Sequence, residues 1–256
     1  CRFLRPGQSC ENLRVLVSAS YIQRAVITFS MMRRILPKRF FNRPTLRVAR
    51  ELLGKYLVRK IGARTAHRAR GRASPRGREI VQKITEVEAY VGFRDKASHA
   101  SRGMTARNRV MFGPPGVWYV YFTYGMHWML NIVTEREGYP AAILIRGVKD
   151  ASGPGRVTKF FRIDRRFNGK PTSRRSGLWI EDRGVKISPR AIHRSKRIGV
   201  NGAGPWAAKL WRFHLCPVVQ LRMAASGQKS LPVSTDFSAK FLGTHRRNHQ
   251  KLYYRV

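Results

Sequence analysis

The run VWYVYFTYGMHWMLNIV, residues 117–133, constrains the fold more than any other part of the chain. It is dense in aromatic and β-branched residues, which suit a pleated, half-buried surface, and Tyr124-Gly125 interrupts it near its centre. That combination predicts two strands, near 117–123 and 127–133, joined by a tight turn. A hairpin is at best marginally stable alone, so other strands must cover one of its faces. Candidates lie on both sides: IVQKITEVEAY at 80–90, AAILIRGV after Gly138 and Pro140, and shorter runs at 178–187 and 209–215. Hairpin-type links outnumber strand–helix–strand units, which favours antiparallel pairing. Thr45 is placed to cap a helix carrying Leu46, Ala49, Leu52, Leu53 and Leu57 on one face, and 151–175 reads as basic and helical in part. The expected fold class is α+β: one compact domain with a curved, mainly antiparallel β-sheet, flanking helices and a protruding hairpin.

The domain is expected to span residues 37–216. Within it, GARTAHRARGRASPRGR at 62–78 reads as an Arg-rich exposed insert. Residues 1–36 are set apart as a basic N-terminal extension. The chain opens on Cys1 and its first methionines are Met31 and Met32, so the residues ahead of them are expected to be non-native. Residues 217–256 form a basic C-terminal segment that no pattern assigns.

Charge narrows the partner. Lys and Arg number 52 against 13 Asp and Glu, a formal net charge of +39, while 43% hydrophobic residues still provide a sizeable core. Such an excess points to a polyanion, nucleic acid first. The apolar stretch Val15–Met32 is broken by Arg24 and is shorter than the ~20 residues a membrane span requires. No small-residue cleavage site follows it, so a protein that is neither secreted nor membrane-bound is expected. Cys1, Cys10 and Cys216 are too scattered for a disulfide framework or a zinc site. His245 and His249 have helical metal spacing but no third ligand near them, and no metal is expected.

Acidic residues are rare enough that each asks for a reason. Glu86 and Glu88, at i and i+2 of a strand, should leave one face together with Ile84 and Tyr90. A carboxylate beside an aromatic ring suits a general base in a cleft; neutralising nearby arginines is the commoner use of such a pair. Trp118, Phe122 and Trp128 read as core. A tyrosine at the turn, Tyr124, would leave a large ring in water, and in a polycation such a ring can wedge between nucleobases. Neither GxSxG, a phosphate-binding loop nor a dinucleotide fingerprint occurs, so acyl transfer and nucleotide cofactors lack support.

Taken jointly, EVEAYVGFRDKASHA, RGMTARNRVMFGPPGVWYVYFTYGMHWMLNIV and AAILIRG resemble the alkyladenine (3-methyladenine, or methylpurine) DNA glycosylase family. Weaker likeness runs through FFNRPTLRVARELLGKYLVRK, GPGRVTKFF, GLWIEDRG and RIGVNGAGPWAAKLWRF, covering roughly 37–215. The resemblance implies a monofunctional enzyme that flips alkylated or deaminated purines out of double-stranded DNA and hydrolyses the N-glycosidic bond. It implies no cofactor, and the partner is DNA carrying damaged purines. By family role, Glu88 would deprotonate the attacking water, Arg146 would hold carboxylate and water, and the backbone at Ile198 would help place that water. Tyr90, His99 and Tyr121 would line the base pocket, Asn131 would exclude the amino group of guanine, and Leu144 would form a further wall. Tyr124 and Met126 at the hairpin tip, with Arg102, Arg107 and Arg109, would contact DNA. A monomer is the default. The expected location is the cytoplasm or nucleoid of a bacterium, or the nucleus of a eukaryote. The competing readings are a non-catalytic basic nucleic-acid-binding protein, which explains the charge but not Glu88 and Arg146, and an inactive glycosylase relative.

Overall fold

A computed structural model describes residues 33–62 and 78–216. The N-terminal extension up to residue 32, the interior of the Arg-rich insert and the C-terminal segment with His245 and His249 lie outside the described residues.

Ten strands form the sheet among these residues, and every pairing is antiparallel. They are β1 (Arg34–Ile35), β2 (Tyr56–Ile61), β3 (Arg78–Val91), β4 (Trp118–Thr123), β5 (His127–Val133), β6 (Ala141–Val148), β7 (Ala151–Ser152), β8 (Leu178–Asp182), β9 (Ile192–Ser195) and β10 (Arg212–Leu215). The main path runs β1-β8-β2-β3-β6-β5-β4, and β10 pairs with both β3 and β9. Helices are few and short: α1 (Lys38–Phe41), α2 (Thr45–Leu52) and α3 (Pro154–Phe161). This is the expected mixed, mainly antiparallel architecture.

The long strand β3 organises everything. Its first half pairs with β2, and its second half lies between β6 and β10. The main core joins Ile84, Val87 and Ala89 of β3 to Trp118 and Val120 of β4, Leu130 and Ile132 of β5, Ile143 and Ile145 of β6, and Val48, Leu52 and Phe161 of the helices. Ile84 was expected beside Glu86 and Glu88 but belongs to this core. The register of β3 against β6 shifts between Ile84 and Glu86 and again before Val87. That irregularity rephases the strand, so residues of one parity face opposite sides before and after it.

The hairpin stands where expected. Its connection is Tyr124–Met126, with positive φ at both Tyr124 (53°) and Gly125 (65°), and the Met126 N–H returns to the Thr123 carbonyl at 3.2 Å. Positive φ at both positions gives the handedness that matches the twist of paired strands. Phe122 corrects its expected core role. It shares the parity of Trp118 and Val120 but lies past the edge of the core, 43% exposed, with its ring 4.8 Å from that of Trp128.

Two local expectations change with tertiary contacts. Pro44, not Thr45, is the N-cap of α2, and Leu57 lies in β2 because the chain turns extended at Leu53. Gly54 follows with φ +84°, where a Cβ would lie 2.7 Å from Ile187. Thr45 instead gives its backbone N–H and its hydroxyl to Glu135 Oε1, at 3.0 and 2.7 Å. A carboxylate from the loop after β5 therefore caps α2 from a distance in sequence. Glu135→Ala should cost about 0.5–2 kcal/mol, the range for losing a capping acceptor, read as a lowered midpoint in denaturant unfolding. The short strand β9 was not foreseen: IHRS carries no alternation, and its place comes from pairing with β10.

Candidate active site

Glu88 occupies a fully buried position on β3, opposite Leu144 of β6 on one side and Arg212 of β10 on the other. Its side chain has no solvent exposure, yet three neighbours supply donors. Oε1 accepts the Ile198 backbone N–H at 2.8 Å and lies 3.3 Å from Arg146 Nη1; Oε2 accepts the Tyr90 hydroxyl at 3.0 Å. Burial pushes the Glu88 pKa up, opposed by Arg146, the Ile198 amide and the Tyr90 hydroxyl, while Glu86 adds to the rise. A carboxylate so placed is a stronger base than a solvated one.

Glu86 does a different job. Its Oε1 accepts from Arg146 Nε at 3.1 Å and Arg212 Nε at 2.6 Å. The fork of Arg146 is thereby held between the two glutamates, Nε on Glu86 and Nη1 on Glu88. The neutralising reading of the acidic pair describes Glu86, which is bound by two arginines.

Glu88 and its partners back a cleft of about 440 Å³ at the base of the hairpin. Tyr90, His99, Tyr121, Asn131, Leu144, Arg146 and Ile198 line it, and so does Tyr124 from above. Glu88 itself lies directly behind the wall formed by Tyr90, Arg146 and Ile198. His99 Nδ1 is 3.1 Å from the Tyr119 hydroxyl, and its ring meets that of Tyr121 edge-on at 4.6 Å. Partial burial and then the charge of Arg107 lower the His99 pKa, although the residue stays open to the cleft. Burial pushes the Tyr121 hydroxyl up to about 12 and raises Tyr90 well above the ordinary tyrosine value, so both remain neutral at physiological pH. Asn131 is buried, its amide nitrogen donating to the carbonyls of Tyr119 (3.1 Å) and Met129 (3.4 Å).

Of the remaining expected residues, Met126, Arg102, Arg107 and Arg109 lie outside the cleft, and Tyr124 reaches its rim. Tyr124 and Met126 crown the hairpin at 70% and 67% exposure. Arg102, Arg107 and Arg109 are exposed on the neighbouring loop, where Arg107 donates to the Phe122 carbonyl at 2.9 Å and lies 5.4 Å from the Tyr121 ring centre. Asn108 shapes that loop by accepting from the Thr105 N–H and donating to the carbonyls of His99 and Gly103.

Sequence reasoning missed Tyr119 and Met129, which also line the cleft. Strand parity held the signal: Tyr119 and Tyr121 share a face, and they sit opposite Asn131 and Met129 across the hairpin. It also missed Arg197 and Asp95, a fully buried ion pair behind Tyr90, which no local pattern announces. Among the described residues no group of three His, Cys, Asp or Glu is arranged to hold a metal ion, and no helix is long and apolar enough to cross a membrane.

The family described as Methylpurine-DNA glycosylase (MPG) matches residues 39–152 and 148–216, together more than half of the chain. The chain belongs to the methylpurine-DNA glycosylase family. A relative from Methanocella arvoryzae, named "Putative 3-methyladenine DNA glycosylase", is 44% identical over 200 residues, covering 70% of this chain and 92% of that protein. Proteins of the same name from Legionella pneumophila strain Lens and Myxococcus xanthus are each 40% identical. The first covers 71% of this chain and 94% of its own length, the second 70% and 88%. Every side chain lining the cleft of this methylpurine-DNA glycosylase family member lies within the matched residues.

Proposed function

We propose that this protein excises alkylated and deaminated purines from double-stranded DNA by hydrolysing the N-glycosidic bond, as a first step of base excision repair. One observation carries the reading: a buried carboxylate, Glu88, held by Arg146 and the Ile198 amide directly behind an aromatic cleft at the foot of an exposed hairpin. Family membership and the names of the relatives support the same reaction class.

A base inside a duplex cannot reach such a cleft unless it leaves the stack, which costs a few kcal/mol and least for a damaged, poorly paired base. Tyr124, at the tip, fills the gap and offsets part of that cost. The flipped purine lies among Tyr90, His99 and Tyr121. An N3- or N7-alkylated purine is cationic, and each electron-rich ring face favours it by ~0.5–2 kcal/mol over a neutral base. Asn131 and Leu144 close the wall where the exocyclic amino group of guanine would have to fit.

Chemistry then needs a single base. Glu88 takes a proton from a water held by Arg146 and the backbone at Ile198. The water oxygen bonds to C1′ of the sugar as the C1′–N bond breaks, and its electron pair leaves with the purine. A cationic purine is already a good leaving group, so one carboxylate suffices, unlike the paired carboxylates of sugar hydrolases. Among the described residues, none lining the cleft is a lysine, consistent with release of the base without cutting the strand. Arg102, Arg107 and Arg109 bind phosphates and set position without reading sequence.

The test is single-turnover incubation with duplexes carrying hypoxanthine or ethenoadenine, and with methylated DNA, followed by alkali. Breaks that appear only after alkali support the proposal. A folded protein that leaves every lesion intact would favour a DNA-binding relative without catalysis. Tyr124→Ser should slow single-turnover excision about ten-fold, from loss of ~1–2 kcal/mol of the help given to flipping. A rate equal to wild type would remove the wedge role.

A further inference from the structure

Arg197 and Asp95 lie outside the roles assigned above, yet they form the most completely buried ion pair of the described residues. Neither side chain has any exposure, and the contact is two-pronged, Nη1 to Oδ2 at 2.5 Å and Nη2 to Oδ1 at 2.8 Å. The guanidinium also donates to the carbonyls of Ala89 (2.9 Å) and Trp206 (3.2 Å). It lies between two rings, 4.9 Å from the centre of Tyr90 and 5.1 Å from that of Trp211. Asp95 in turn accepts the backbone N–H groups of Val91 and Ala97, both at 3.1 Å. One pair thus ties the end of β3, the loop that delivers Ala97, Ser98 and His99 to the cleft, and the segment 197–206 into one body.

Burying two charges costs so much desolvation that an apolar pair is often as stable, so stability is a weak reason for this arrangement. The Nε of Arg197 is even left buried without a partner. Position offers a better reason. Arg197 immediately precedes Ile198, whose N–H reaches Glu88, and its guanidinium presses on the ring of Tyr90, whose hydroxyl reaches the other oxygen of Glu88.

We propose that Arg197, locked by Asp95, is a positioning residue of the excision reaction: it holds the Ile198 amide and the Tyr90 ring on Glu88. The inference rests on the glycosylase reading for its catalytic consequence, but the structural link can be tested without turnover.

Glu88 is faced by Arg146 of β6, Glu86 and Tyr90 of its own strand, the Ile198 amide, and Tyr121 of β4, with Arg212 of β10 acting on Glu86. Loosening Arg197 withdraws two donors from the carboxylate while leaving Arg146 and Glu86 in place. Losing donors to the charged form raises a carboxylate's pKa.

The experiment follows Glu88 by carboxyl-carbon NMR across pH, the resonance assigned by its disappearance in Glu88→Gln. It compares wild type, Arg197→Lys, which keeps the charge but not the two-pronged contact, and Arg197→Met/Asp95→Asn, which removes both buried charges so that neither is left uncompensated. We expect the Glu88 midpoint to rise by about one pH unit in the double variant and by less in Arg197→Lys. Single-turnover excision of hypoxanthine should fall about 10–100-fold at the acid end and recover part of that loss as pH rises. An unmoved midpoint in folded variants, or a deficit equal at every pH, overturns the inference. A wild type that does not excise any lesion overturns the glycosylase reading instead, and the NMR midpoint still decides whether Arg197 positions the groups around Glu88.

Discussion

Glu88→Gln is expected to lower single-turnover excision by about 10²–10⁴-fold, the range over which a general base contributes, while duplex affinity stays within a few-fold of wild type. The amide keeps the shape of the carboxylate and can still accept from the Ile198 N–H or the Tyr90 hydroxyl, so the pocket stays assembled. What it loses is the ability to take a proton from water. Affinity for duplex DNA comes from surface cations that bind phosphates, and Glu88 is not among them. A Glu88→Gln protein with normal turnover would remove the carboxylate from the mechanism.

The same substitution has a second expected result, with the opposite sign. Burial raises the Glu88 pKa in the folded protein above its unfolded value. A group shifted in that direction binds its proton more tightly when folded. Its contribution to stability is therefore present below the unfolded pKa and is lost as pH rises through the folded pKa. At neutral pH the carboxylate works against folding, so Glu88→Gln should unfold at the same temperature as wild type or higher. Catalysis runs the other way: the proposed mechanism needs the ionised form, so the excision rate should fall as pH drops through the raised pKa. Thermal unfolding and a rate–pH profile on one pair of proteins check both.

Trp118→Ala should be the most damaging core substitution, costing about 3–5 kcal/mol. Trp118 is fully buried at the start of the hairpin, within the main core, and its indole N–H donates to the Leu178 carbonyl at 3.1 Å. Its backbone also bridges the loop that follows α3, donating to the Lys170 carbonyl and accepting from the Gly169 N–H. Truncation would leave a cavity beneath β4 and remove one of three donors to the Leu178 carbonyl, which the Ser173 N–H and the Ser176 hydroxyl also reach. Denaturant unfolding should show a lower midpoint. Excision by the fraction still folded should be less affected, because Trp118 faces away from the cleft that Tyr119 and Tyr121 line. A loss under 1 kcal/mol would contradict the packing described here.

Local patterning went far toward the hairpin and the sheet. Alternation and β-propensity are properties of neighbouring residues, so 117–123, 127–133 and 141–148 could be read as strands close to their observed bounds. The turn was legible for the same reason, since Tyr124-Gly125 had to reverse the chain within a few residues. Residue likeness to the methylpurine-DNA glycosylases pointed to much of the cleft lining, from Tyr90 to Ile198, but not to Tyr119 and Met129.

The rest depended on contacts between distant segments. Glu135 caps α2 across ninety positions, and no helix-start rule could assign Thr45 to it. The register shift in β3 arises against β6, and it alone sends Ile84 to the core while Glu86 and Glu88 face the arginines. Glu86 and Glu88 read alike as a sequence pair; their separate jobs follow from Arg212 reaching one and the Ile198 amide the other. By itself, the sequence determined that this basic chain folds into an antiparallel sheet with an aromatic hairpin, because those signals are periodic and local. Only the tertiary structure decided which carboxylate is desolvated, which is bound by two arginines, and that Arg197 and Asp95 lie behind the pocket. Burial and charge pairing are set by what packs against a residue, and that is written far from it in the chain.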